Sequence, residues 1–459
     1  MIIKPFIDRR EELSFLEEKY NSNSFEFVLV YGRRRIGKTR LIKEFIKDKD
    51  ALYFLCENKP LAKNLEKFSK IISEELGLPV KIENLKDLFK ILKNHCKKRI
   101  VVFDEFSYLI KQDKYITSDL QVALDEILKD SNIMLVILGS HVSLMERHLL
   151  SYSSPIYGRA TGILRLSEFS FPILAEWFPK TNAKDLVKLY SVVGGVPRYL
   201  EFFNGSDIDN EIKNNFFNKN SFLVYEAYQL LSEELKNVSI YMAILEALSL
   251  GKRSITEIAG YVYMKPNELS PYLAILSNLG FIRKKKNVLK TMKKSLYEIS
   301  DPYMDFWFSF VSPYYEEITS GFHDNAILNF EKNFNTYLGR RFEKVCEQLV
   351  RLGIFGFKKQ FKVGPYWDKN VEIDLLGLNE DSKELLAVEC KWKENVDPKR
   401  ICRSLLDKLD YVNWQKDKRK EYLAIFAKSF KEKITEFNDH RVFCYDLKDI
   451  EKILTTRKV

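Results

Sequence analysis

Two groups of residues in this chain have types and spacings that could do chemistry. The first is the run Gly32, Arg33, Arg34, Arg35, Ile36, Gly37, Lys38, Thr39, followed by Arg40. Its glycines let the backbone curl and aim N–H groups at phosphate oxygens, and a helix predicted to start near Lys38 adds its positive N-terminal end. Lys38 is expected to reach the β- and γ-phosphates of ATP, and the Thr39 hydroxyl to hold Mg²⁺. Such a loop calls for an acidic partner at the end of another apolar strand. Residues 99–105 (RIVVFDE) supply it, with Asp104 for the metal and Glu105 as the base that polarises water. The next strand ends in Gly139, Ser140 and His141, where Ser140 would sense the γ-phosphate and His141 reads as structural or exposed. Arg159 is a candidate for stabilising the transferred charge, as an arginine finger does. From spacing alone a surface arginine fits that position equally well.

The second group lies near the other end. Residues 371–376 (VEIDLL) alternate, so Glu372 and Asp374 share one strand face. Residues 385–391 (LLAVECK) place Glu389 and Lys391 on one face and Val388 and Cys390 on the other. Adjacent strands would present Asp374, Glu389 and Lys391 together. The carboxylates could hold Mg²⁺ or Mn²⁺, while the lysine activates water and stabilises a phosphorane-like charge. A helix predicted over residues 337–350 turns Phe342, Val345 and Leu349 to the core and sets Glu343 beside them, as a third carboxylate for the metal. Cys390 reads as a small buried thiol rather than a nucleophile, and Arg403 and Lys408 read as solvated.

These residues need elements to position them. Residues 25–31, 51–56, 100–103 and 133–138 read as strands buried on both faces, with amphipathic stretches such as 39–47 and 61–76 between them. That order predicts an α/β fold with a parallel sheet covered by helices on both faces, and residues 162–166 add a fifth strand. The pattern is helical from about residue 172 to 235. Within 238–300, residues 254–259 form a short helix and Ser270 is expected to cap a second, with Pro271 at its first position. Leu273, Leu276 and Leu279 repeat until Gly280, then the basic stretch 283–286 (RKKK) precedes a strand-like piece at 296–299. From residue 330 a mixed strand and helix pattern returns.

At 459 residues and 46% hydrophobic, the chain exceeds one ordinary domain and can build several cores. No run approaches the roughly 20 apolar residues of a membrane span, and the first residues carry no signal-peptide pattern, so a cytoplasmic protein without membrane contact is expected. The six cysteines lack a CxxC pair and read as reduced, mostly buried thiols. The five scattered histidines argue against a histidine metal site. The net charge of +10 permits contact with nucleic acid without requiring it.

The segments FIDRREEL, YGRRRIGKTRLI, VVFDE, LGS, YGRATGIL and GGVPRYL, in this order, resemble archaeal-type ATPases of the STAND branch of AAA+-like P-loop NTPases. The resemblance covers about the first half of the chain. It implies that Asp8 and Arg9 open the nucleotide pocket, that Pro197 lies against the adenine, and that Arg159 and Arg198 are phosphate-sensing candidates. Residues 238–300 resemble a winged helix. The tail, with its D…ExK pattern, resembles the restriction-endonuclease-like core and the nuclease-like domain that often follows such ATPase modules. The domains expected are 1–170, a P-loop ATPase core; 171–236, a helical lid; 237–310, a winged-helix module; and 311–459, a restriction-endonuclease-like domain with a leading helical linker.

Two functions follow as expectations. In one, an ATPase couples nucleotide state to a winged helix that docks DNA, with RNA left open, and to a metal-dependent nuclease. In the other, the chain is a nucleotide-dependent regulatory switch whose C-terminal domain binds without cutting. A homo-oligomer, or a protein partner held through the winged helix, is compatible with both.

Overall fold

Five apolar runs alternating with amphipathic stretches build the first sheet. In the computed structural model, which describes residues 6–95, 99–113, 115–289, 296–353 and 361–456, the chain divides into two compact units, one ending at Glu168 and one beginning at Phe169. Cys96 lies outside the described residues. In the first unit, β1 (Glu26–Tyr31), β2 (Ala51–Leu55), β3 (Ile100–Asp104), β4 (Met134–Gly139) and β5 (Gly162–Arg165) are ordered β2-β3-β4-β1-β5. Every neighbouring pair is parallel. β1, β3 and β4 are buried along their whole length, as central strands covered on both faces must be. Phe54 stacks on Phe103 at 5.0 Å between ring centroids, and Phe68 meets both edge-on. Tyr31 stands opposite Gly139, and Leu55 opposite Asp104. The carboxyl ends of the strands therefore come level, which is where parallel sheets bind ligands.

The second unit opens with the helices Ile173–Trp177, Ala183–Val193, Pro197–Leu200, Ile208–Phe216 and Phe222–Glu234. Tyr303 Oη donates to the Leu223 carbonyl (2.8 Å), Trp307 Nε1 to that of Val224 (2.8 Å) and Tyr337 Oη to that of Ser191 (2.9 Å). The helical segment after Phe169 thus shares a core with residues 80 to 146 positions later. A Cβ added at Gly195 would lie 1.8 Å from the Phe169 carbonyl oxygen, so only glycine fits there.

Three helices follow, Val238–Ser249, Ile255–Tyr261 and Pro266–Asn278, and then the antiparallel hairpin of β6 (Ile282–Lys285) and β7 (Leu296–Ile299). Ser254 and Glu257 form a reciprocal capping box on the second helix. The third helix corrects the expectation: it starts at Pro266, not after Ser270. Glu268 reaches back to the Lys265 backbone N–H at 3.2 Å, and proline at the first position forfeits no hydrogen bond. Ser270 sits inside the helix with its hydroxyl on the Pro266 carbonyl (3.0 Å), and Pro271 is also interior. Of the basic stretch, Arg283, Lys284 and Lys285 form strand β6.

A 28-residue helix, Asp324–Arg351, then runs on to a second sheet. It starts well before Tyr337 because Phe330, Phe334 and Tyr337 extend its apolar face against Phe306. The sheet comprises β8 (Lys362–Trp367), β9 (Glu372–Asn379), β10 (Glu384–Lys391), β11 (Lys420–Ala427), β12 (Glu436–Phe437) and β13 (His440–Tyr445), ordered β12-β13-β11-β10-β9-β8. β8, β9 and β10 are mutually antiparallel, whereas β10, β11 and β13 run parallel, with the helix Pro398–Leu409 between β10 and β11. No helix among the described residues is long and apolar enough to cross a membrane.

Ion pairs fasten the hairpin to the long helix and to β9. Arg283 meets Glu298 (2.6 Å) and Glu347 (3.3 Å), Lys344 meets Glu298 (2.8 Å), and Lys285 meets Glu372 (3.0 Å). Burial alone would raise the Glu298 carboxyl, but Lys344 and Arg283 outweigh it and hold it down at about 2. A depressed carboxyl contributes stability above its ordinary value of 4.5 and loses it as pH falls towards 2. Glu298→Gln should therefore cost about 2 kcal/mol at neutral pH in urea denaturation. The gap from the unsubstituted protein should close as pH drops towards 2; an undiminished gap would assign the cost to packing.

Candidate functional site

The loop between β1 and the helix Lys38–Phe45 turns through left-handed backbone at Arg35 (φ 70°) and Gly37 (φ 91°). At Gly32 an added Cβ would lie 2.5 Å from the Leu166 carbonyl oxygen, so the loop passes that backbone with no room for a side chain. Lys38 is buried, and its ammonium donates to the carbonyls of Gly32 (2.9 Å) and Arg33 (2.8 Å), closing the loop on itself. Arg34 donates to the Tyr108 hydroxyl at 2.9 Å. Behind the loop, Asp8 and Arg9 both take left-handed φ, 58° and 69°, and Arg9 donates to the carbonyls of Ser167 (2.5 Å) and Ile36 (3.4 Å). Ile36 and Arg40 fall where the motif puts them, in the loop and in the first turn of the helix.

β3 delivers the acids. Asp104 is 1% exposed, and its carboxylate accepts from the Thr39 hydroxyl (2.7 Å), the Tyr53 hydroxyl and the Glu105 backbone N–H (2.8 Å). Burial, and next the Asp104 acceptor, raise the Tyr53 phenol and keep it a donor. Glu105 is held at φ 55°, a backbone state uncommon outside glycine and asparagine. Ser140 donates to Glu105 Oε1 at 2.6 Å, while Oε2 is buried without a hydrogen-bond partner. Among the described residues neither acid has a cationic partner. A buried and a half-buried carboxylate supplied only with neutral donors are short of positive charge, and a divalent ion beside Thr39 and Asp104 would supply it. The donor set of the loop thus fits Mg²⁺ and a triphosphate.

Other expected residues are placed differently. His141 is buried, with Nε2 2.7 Å from Lys111 Nζ and 3.4 Å from Arg34, both of which can only donate to it. Arg159 grips Asp125 through two hydrogen bonds (2.7 and 2.8 Å) and donates to the Pro155 carbonyl, all outside the loop. Pro197 opens a short helix in the second unit, where Arg198 pairs with Glu201 at 2.8 Å.

In the C-terminal sheet, Asp374 accepts the Cys390 backbone N–H at 2.7 Å. Glu389 is buried, with Oε1 on Lys391 (2.5 Å) and Oε2 on Lys408 (3.0 Å). Lys408, expected to be solvated, instead belongs to this cluster, because the helix Pro398–Leu409 turns it inward. Burial, and then the Glu389 charge, push Asp374 up to about 6; burial, and then Asp374, push Glu343 up to about 7. Among the described residues no three His, Cys, Asp or Glu side chains come close enough to hold a metal. The expected set of Glu343, Asp374 and Glu389 is therefore not assembled as a three-carboxylate site. Asp374 and Glu389 remain as a pair.

Two residues escaped sequence reasoning. Tyr53 reaches Asp104 only because β2 lies beside β3, and Lys408 meets Glu389 only because its helix packs on β10. Neither adjacency is written in local spacing.

A family model described as an ATPase domain predominantly from Archaea matches residues 6–203, and one described as archaeal and bacterial proteins of unknown function matches residues 307–401. The uncharacterized protein MJECL04 of Methanocaldococcus jannaschii is 36% identical over 439 residues, spanning 93% of this chain and 97% of its own. An uncharacterized ATP-binding protein of the same organism, MJ0423, is 54% identical over 44 residues, 10% of this chain and 75% of its own. The Walker-type ATPase PABY2304 of Pyrococcus abyssi has a similar fold, with a TM-score of 0.50 at 21% identity over 66% of this chain and 96% of that one.

Cys346 and Cys390 are buried beneath the acid–lysine cluster, and burial raises both thiols. A thiol reagent applied to native protein should leave both unmodified while labelling them after unfolding, as read by peptide mass spectrometry. Rapid native labelling of Cys390 would turn it towards the open site and contradict this placement.

Proposed function

Since the chain belongs to the family of ATPases found predominantly in Archaea and carries that family's fold, we propose that ATP turnover at the 32–39 loop controls an acid–lysine site acting on nucleic acid. The observation that carries the first part is a buried Asp104 beside a half-buried Glu105 whose Oε2 is enclosed without a partner, neither acid meeting a cation among the described residues, level with the loop that holds Lys38. ATP binding draws Lys38 from the loop carbonyls to the phosphates, while the loop N–H groups and the helix end cradle them. Thr39 and Asp104 would hold Mg²⁺, which supplies charge for the phosphates. Glu105 takes the proton of the attacking water. Ser140 keeps one Glu105 oxygen fixed and leaves the other without a partner, available to the attacking water, and it moves when the γ-phosphate leaves. Tyr53 holds Asp104 in place. Arg159 as a charge-stabilising group is part of the same proposal, and it must first release Asp125.

Glu105→Gln should leave nucleotide binding intact and slow hydrolysis by about 10²–10⁴-fold, whereas Lys38→Ala should lose binding. Isothermal titration with a non-hydrolysable ATP analogue and phosphate release check both. Unchanged hydrolysis in Glu105→Gln would remove the base.

For the second part, support comes from the mutual field of Asp374, Glu389 and Glu343 beside two lysines. In this proposal Asp374 and Glu389 would hold Mg²⁺ or Mn²⁺, Lys391 activates water, and Lys408 steadies Glu389. The three helices and the hairpin act as a winged helix. Of its basic residues, Arg283 and Lys285 are engaged in ion pairs, so DNA contact falls to the exposed Lys284 and Lys286. The alternative, a switch whose C-terminal site binds without cutting, is favoured by the full engagement of Glu389 with two ammonium groups. Labelled DNA and RNA incubated with Mn²⁺ and ATP decide between them. Cutting abolished in Asp374→Asn supports the nuclease; cutting that survives it sinks the assigned site; no cutting under any condition leaves the switch.

A further inference from the structure

The hairpin, the long helix and β9 enclose a cavity of about 410 Å³, and Glu343 and Asp374 form part of its wall. Six basic side chains also face it, one of them Lys408, which is held by Glu389. Lys285 and Lys344 are tied to Glu372 and Glu298, and Arg341 is nine-tenths buried with only Asp305 at 3.4 Å. Arg253 and Arg340 are different: both are exposed, and neither forms an ion pair with a described residue. Arg253 is anchored to the hairpin, because its carbonyl accepts the Tyr297 backbone N–H at 2.8 Å. Arg340 projects from the long helix one turn before Glu343 and Lys344, on the same side of that helix. These two guanidiniums, one beside the hairpin and one on the long helix over the Tyr337 ring, thus line the cavity that holds the carboxylates from different elements.

We infer that this cavity binds a single nucleic-acid strand, with Arg253 and Arg340 contacting its phosphates and leading it to Asp374. This rests on the reading of the acid–lysine cluster as a nucleic-acid site and deepens it by naming the form of the substrate. The volume is that of a small-ligand pocket, about 300–1,000 Å³, and admits an extended nucleotide rather than a helix whose major groove alone is about 12 Å wide. Guanidiniums suit phosphate because their planar fork donates two hydrogen bonds at once. The hairpin walls the cavity with its engaged cations, so a duplex cannot reach the carboxylates while Lys285–Glu372 and Arg283–Glu347 hold. A strand without a partner threads between them.

The test is fluorescence anisotropy with a labelled oligodeoxynucleotide, single-stranded or annealed to its complement, without added metal. The full chain, Arg253→Gln/Arg340→Gln and Lys284→Ala/Lys286→Ala are compared, after thermal unfolding confirms that each variant folds. The single strand should bind at least about tenfold tighter than the duplex. The arginine double variant should lose about tenfold and flatten the dependence of log affinity on log salt by about 1.4, the value for two single-strand phosphate contacts. Equal affinity for duplex and single strand would overturn the inference. So would loss confined to the lysine double variant, which would put the strand on the outer hairpin. Cutting by the full chain and by Asp374→Asn is followed in parallel. If neither cuts, or both cut alike, the catalytic reading fails even though arginine-dependent strand binding stands. If cutting needs Asp374 but binding ignores the arginines, only the inference falls.

Discussion

One buried carboxylate organises the first unit. Asp104 ends a fully buried strand and draws hydrogen bonds from Thr39 on the loop helix, Tyr53 on the neighbouring strand and the backbone that turns into Glu105. A charge without water or a cation is costly unless several donors face it. The sheet satisfies that demand by making its carboxyl ends level and gathering donors there from three segments. The same demand leaves the site receptive to a cation. Ser140 then extends the arrangement by one residue, since it holds Glu105 against the end of β4.

A different constraint governs the second unit. Its hairpin has only four residues to a strand, so the hairpin has little apolar area of its own to settle it. Opposite charges on the long helix and β9 do that work, with Glu298 between Arg283 and Lys344. A hairpin rich in lysine and arginine is read most readily as a surface for phosphate. Here half of that charge faces inward and is neutralised by carboxylates from segments far away in sequence.

Local order made much of this legible. The strands of the first sheet announced themselves as apolar runs, because a strand buried on both faces has no polar side to interrupt it. Asp104, Glu105 and Ser140 could be read together because each ends or directly follows its strand, and parallel strands bring such positions to one edge, to which the loop after β1 brings Thr39. What escaped depends on adjacency or on competing signals. Tyr53 required knowing which strand lies beside β3. Ser270 followed by Pro271 offered a cap, but Lys265, Pro266 and Glu268 formed an earlier one, and the helix kept the longer span. Lys408 looked like one charge among several on an exposed face until its helix was placed. Glu343, Asp374 and Glu389 were foreseen as neighbours, and they do share one field. Their convergence on a single ion was not met, because the two lysines stand between them and that geometry.

The long helix deserves a mechanical description. Its 28 residues form a rod of about 42 Å, unbroken by proline. Phe330 and Phe334 lock one end into the aromatic core, and Glu343 stands about 20 Å further along the same rod. A straight helix has no joint at which to absorb a displacement. A shift of register by one residue in the aromatic end would swing Glu343 through about 100° and carry it off the cavity wall altogether. The acid site is therefore indexed by aromatic packing at the far end, in the way a key's bit is set by the angle of its bow.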